Sequence, residues 1–141
     1  SKTALSSFDQ RRPINAAMHG LRLLLAGNYQ DSVLIAGLIA GASTVYVALV
    51  IRTSLGWVAS AVFFVFSLSL IRTHLPVAMT EIHGFIFGCF GFGLLWRAVI
   101  SRSLIPYFYG LALLSIGLNA RAGPFLILLA VLLWGVLNLF A

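Results

Sequence analysis

The sequence predicts an all-α fold, a polytopic bundle of transmembrane helices. Hydrophobic residues make up 61% of the chain and charged residues only 9%, far from the balance of a soluble domain. Long apolar runs are separated by short polar connections, and none alternates strictly enough for a β-barrel, so the runs read as helices. At 141 residues the chain holds one compact unit, 1–141.

Residues 1–12 read as a loop. Pro13 suits a first helical position. Ala17, Met18, Leu21, Leu24 and Leu25 then recur at helical spacing, with Asn15, His19 and Arg22 on another face. This amphipathic helix, 13–27, is short for a span, which needs about 20 apolar residues. It is expected to lie along the membrane interface, ended by Gly27 in a left-handed cap. Asn28 reads as an N-cap with Asp31 completing a capping box. Five spans follow: 29–51, 57–71, 77–96, 104–120 and 124–141. Gly37 and Gly41 form a GxxxG pair inviting a close neighbour. Arg52–Gly56 is a tight connection, Arg72–Pro76 the next, and Arg97–Ser103 a basic loop. Gly123-Pro124 breaks the chain before the last span.

The net charge of +6 is scattered between apolar runs. That pattern argues against nucleic acid and fits membrane lipid headgroups. Cys89 is alone, which excludes an intrachain disulfide and a cysteine-based metal site. No basic stretch followed by an apolar core marks a cleavable signal. The chain starts without Met and stops inside an apolar run, so it is expected to be part of a larger polytopic protein.

Few charges survive in so apolar a chain, and each needs a partner, water or a task. Glu81 sits near the start of the third span and shares a helix face with Gly84, Phe85 and Gly88. It can line a polar cavity, or it can be a carboxylate favoured by the helix dipole. His83 points nearly opposite, so the two make a poor metal pair. Arg11 and Arg12, beside Asp9 and ahead of a helix N-terminus, suit phosphate binding; a solvated basic loop on anionic lipid has the same residues. Arg121 can meet a phosphate or snorkel to headgroups. No GxxxxGK, HExxH or GxSxG motif is present.

Phe8-Asp9-Gln10-Arg11-Arg12-Pro13-Ile14-Asn15 followed by an amphipathic helix, Met79-Thr80-Glu81 opening a span, and Leu118–Pro124 with a later Trp134 together resemble GT-C membrane glycosyltransferases. The likeness is to bacterial relatives of protein O-mannosyltransferases and of the lipid A aminoarabinose transferase. It covers nearly the whole chain through short, loose motifs. The resemblance implies inverting transfer of a sugar from a polyprenyl-phosphate donor to an acceptor at the external face of the bacterial inner membrane, within a multi-pass protein of the cell envelope. It implies a catalytic first external loop ahead of Ser1. It assigns Asp9 and Glu81 as catalytic, and Arg11, Arg12, Arg121 and His19 as substrate-binding. No protein metal ligand is assigned; a divalent metal is compatible, and no other cofactor is implied. A transporter or flippase segment, or a structural membrane subunit, are the competing expectations.

Orientation is contested. Lys2, Arg11, Arg12, Arg22, Arg72 and Arg121 fall on one side and Arg52, Arg97 and Arg102 on the other. Counting alone puts the first side in the cytoplasm, whereas the glycosyltransferase reading puts it outside.

Overall fold

The computed structural model describes residues 13–75, 81–121 and 126–140. Among them are five α-helices and no strand: α1 Pro13–Ala26, α2 Tyr29–His74, α3 Glu81–Ser101, α4 Leu104–Arg121 and α5 Leu126–Phe140.

Gly27 ends α1 with φ 72°, its N–H donating to Leu23 O at 2.9 Å. Glycine reaches this left-handed conformation without a Cβ clash. Asn28 is extended and caps α2. Its Oδ1 accepts from the Asp31 N–H at 2.8 Å, and its Nδ2 donates to the Asp31 carboxylate at 2.7 Å. The box therefore closes side chain to side chain, rather than through the cap's backbone N–H.

α2 is a hairpin. Gly56, at φ 86° and ψ −178°, takes a conformation essentially reserved for glycine and reverses the chain. Arms 29–55 and 57–74 then run antiparallel. Ser60 Oγ donates to Ala48 O at 2.7 Å near the turn. At the open end, a methyl placed on Gly37 would lie 2.9 Å from Leu75 Cδ2. Ala36 and Ala40 of the first arm and Ile71 of the second form one core with Ile82 and Ile86 of α3.

α3 and α4 pack most tightly. A methyl on Gly91 would meet Leu114 N at 2.8 Å and Gly110 O at 2.9 Å, and one on Gly117 would meet Gly84 O at 3.1 Å. These pairings run in opposite directions along the two helices, so the pair is antiparallel. Backbones approach this closely only across small residues. The close crossing is thus here and not at the Gly37/Gly41 pair. Gly37 is filled by Leu75, and a methyl on Gly41 would meet nothing within 4 Å.

The basic loop expected at Arg97–Ser103 is mostly helix. α3 continues to Ser101, and Arg102 takes φ 48°. Ser103 N–H donates to Ala98 O at 3.0 Å and Arg102 N–H to Val99 O at 3.4 Å, the two bonds of a Schellman cap. Composition suggested a loop because no glycine marks the stop. α5 runs back against α3 and α4; Tyr107 Oη donates to Leu132 O at 3.0 Å.

Along the first arm of α2 the buried face is made largely of small and hydroxylated side chains. Ser32, Ala36, Ala40, Ser43, Thr44 and Val47 of α2 are buried, while Leu34, Leu38, Val58, Val62 and Phe66 are exposed. Ser43 and Thr44 return their hydroxyls to Ala40 O at 2.8 and 2.9 Å. α1 is turned the same way: Leu24 is 85% exposed and Arg22 only 7%, with α1 packed on α2 and α4. Two helices are long and apolar enough to cross a membrane, Tyr29–His74 and the 82–101 stretch of α3. Leu104–Asn119 is a shorter apolar helix, and α5 has 15 residues, so five full spans are not shown among the described residues.

Candidate functional site

Antiparallel packing sorts the helix ends into two sets. The starts of α2 and α3 and the ends of α2 and α4 share one end of the bundle. The hairpin turn at Gly56 and the α3–α4 turn share the other.

At the first end lies a cleft of about 250 Å³. Leu70, Ile71 and His74 of α2 form one wall, Ile82, Gly84, Phe85 and Gly88 of α3 a second, and Leu114, Gly117 and Leu118 of α4 the third. The lining is apolar except for the His74 imidazole. Glycine leaves room on one wall: a methyl on Gly88 would meet nothing within 4 Å, whereas Gly117 serves the close contact with α3.

Helical register relates two of the sequence candidates to this cleft. Position 81 is three, four and seven residues before Gly84, Phe85 and Gly88. Position 121 is three, four and seven residues after Leu118, Gly117 and Leu114. All six line the cleft. Residues so spaced share a face, so Glu81 and Arg121 occupy the cleft-lining faces of α3 and α4, one turn beyond its walls. They are also the first and last residues of their helices, where the dipoles favour an acid and a base respectively. The Glu81 and Arg121 side chains lie outside the described residues, as does that of His19 on α1. Asp9, Arg11 and Arg12 lie outside them altogether.

Two buried ionisable residues stand near this end. Arg22 packs under α1, and burial lowers its guanidinium pKa from the ordinary value, with Tyr29 acting in the opposite sense. His83 is 2% exposed. Sequence reasoning placed Arg22 on a polar face but could not say that this face packs inward. It treated His74 as part of a connection. Its position three and four residues after Ile71 and Leu70 was the available signal. Among the described residues, no three His, Cys, Asp or Glu side chains converge on a metal position.

No protein-family model, curated protein or solved structure matches the chain. Its function is therefore argued from its own residues.

Proposed function

We propose that this chain is a segment of a polytopic plasma-membrane glycosyltransferase of GT-C type, and that its cleft receives a polyprenyl-phosphate-linked sugar. The membrane part of this reading is supported by which side chains face out and which are buried. Many large apolar side chains, Leu24, Leu34, Val58 and Phe66 among them, face out, while Arg22, His83, Ser43 and Thr44 are buried beside the isoleucine and leucine core, as expected where the surrounding solvent is hydrocarbon. The site part is carried by one observation, that positions 81 and 121 lie on the faces of one apolar cleft at one end of the bundle.

The chemistry is consistent with that placement. An acceptor hydroxyl attacks the anomeric carbon, the bond to the phosphate oxygen breaks, and the phosphate leaves with the electron pair. Glu81 would take the hydroxyl proton. Arg121 would stabilise charge growing on the phosphate in a low-dielectric site. The apolar walls suit an isoprenoid chain. Asp9, Arg11, Arg12 and His19 belong to the same proposal through the family resemblance.

The test is labelled-sugar transfer from a polyprenyl-phosphate donor in membranes carrying the full-length protein. Glu81→Gln and Arg121→Ala are expected to lower transfer by about 10²- to 10⁴-fold at matched expression. Transfer unchanged in both variants would remove this cleft from the mechanism. A transporter built on a broken helix at mid-membrane is less well supported. Among the described residues, the one non-helical backbone position inside a helix is Gly56, at the hairpin turn.

A further inference from the structure

The end of the bundle opposite the cleft is built from arginine and tryptophan. Arg52 lies 3.7 Å from the centroid of the Trp57 ring, across the hairpin turn. Trp96 Nε1 donates to Ser54 Oγ at 2.8 Å, tying the end of α3 to that turn. The Trp96 and Trp134 rings stack with centroids 5.9 Å apart, adding α5. All three tryptophans of the chain thus meet at one level. Arg52, Arg97 and Arg102 are exposed there. Asp31 and Glu81 both stand at helix starts on the cleft side. Among the described residues, then, no carboxylate offsets the three arginines.

From this we infer that the tryptophan–arginine end is the cytoplasmic headgroup anchor of the chain, seated among anionic phospholipids, with the cleft opening to the opposite side. Tryptophan prefers the headgroup level and exposed arginine the cytoplasmic side. The anionic inner leaflet attracts such clusters. The raw charge count points the other way, but it includes Lys2, Arg11 and Arg12, which lie outside the described residues, and two cations that are not headgroup anchors. Arg22 is 7% exposed, and position 121 lies on the cleft face. On the cleft side the exposed, described cation is Arg72, against three exposed arginines at the other end. The inference rests on the membrane reading above but not on sugar transfer.

The test uses the full chain in membrane vesicles and an impermeant maleimide. Thr53→Cys reports the hairpin turn and Thr73→Cys the cleft side; both positions are exposed. The parent is the blank, because its Cys89 is buried. Thr53→Cys should label only in everted vesicles and Thr73→Cys only in right-side-out ones. The reverse pattern overturns the orientation. Release of the chain by alkaline carbonate overturns the membrane reading itself. In nanodiscs of mixed phosphatidylglycerol and phosphatidylcholine, wild type should retain phosphatidylglycerol preferentially. The triple variant Arg52→Gln, Arg97→Gln, Arg102→Gln should lose that preference by about tenfold or more. Unchanged retention overturns the headgroup assignment, whatever the vesicles show.

Discussion

Replacing Gly91 by alanine tests the α3–α4 crossing on which the cleft depends. The added methyl would lie 2.8 Å from Leu114 N, 2.9 Å from Gly110 O and 3.0 Å from Leu114 Cγ. Two of these are backbone atoms of a regular helix and cannot rotate aside, so the helices must separate. Overpacking of this kind destabilises by about 1–3 kcal/mol, and rigid neighbours put Gly91→Ala at the upper end. Alanine returns about 1 kcal/mol of helix propensity. The net expectation is a loss of about 2 kcal/mol, or roughly 4–8 °C in Tm for a chain of this size. Gly41→Ala is the control: its methyl would meet nothing within 4 Å, so the propensity gain stands alone. Thermal unfolding of both variants in detergent, followed by near-UV circular dichroism, measures the difference. Gly91→Ala melting as high as Gly41→Ala would refute the close crossing. Gly110→Ala adds an internal check, because its methyl would meet Gly91 O at 2.8 Å. Once the helices have parted for one methyl the second meets less resistance, so the double variant should lose less than the sum of the singles.

Gly56→Ala forces an alanine to φ 86° and should destabilise the hairpin by about 1–3 kcal/mol, read as a lower Tm. An unshifted Tm would mean that the chain reverses elsewhere. Asn28→Ala removes the α2 cap and should lose about 1 kcal/mol, with faster amide exchange confined to the first turn of α2. Uniform acceleration along α2 would argue against a local cap. Trp96→Phe should weaken the tie between α3 and the hairpin turn by about 0.5–1.5 kcal/mol. A double-mutant cycle with Ser54→Ala showing no coupling would remove that bond from the account.

Punctuation was legible where a residue's chemistry admits one structure. Gly27 and the Asn28–Asp31 box mark the α1–α2 boundary because only those residue types satisfy the local backbone. The expected Arg52–Gly56 connection was legible only at Gly56, since residues 52–55 stay helical and the reversal falls on that glycine. The α3 stop was not legible, since a Schellman cap formed on Arg102 leaves no compositional mark. The glycine crossing was half legible. GxxxG spacing says that a close approach is possible, but which glycine receives a helix depends on the partner's outline, and Gly41 receives none. For α1, spacing located the two faces and left open which one packs inward. That depends on whether the surroundings are water or hydrocarbon, and burial of Arg22 beside exposed Leu24 and Leu25 favours hydrocarbon.

The cleft and the anchor depend on the same antiparallel order. Each reversal of the chain returns a helix start to one end, and α2 and α3 carry their acidic residues, Asp31 and Glu81, at their starts. The exposed arginines Arg52, Arg97 and Arg102 sit beside the turns at the other end. The two acidic helix starts and the three tryptophan-side arginines thereby stand at opposite ends of the bundle. One end keeps carboxylates beside a glycine-walled opening; the other keeps unbalanced guanidiniums among tryptophans. Withdrawing the three exposed arginines from the anionic leaflet would lose roughly 1 kcal/mol each, set against the cleft-side cations, of which Arg72 is described and exposed. The proposed enzyme, meeting a lipid-linked donor at the external face, would need its cleft held to that side, a bias that the three arginines and their tryptophans would supply.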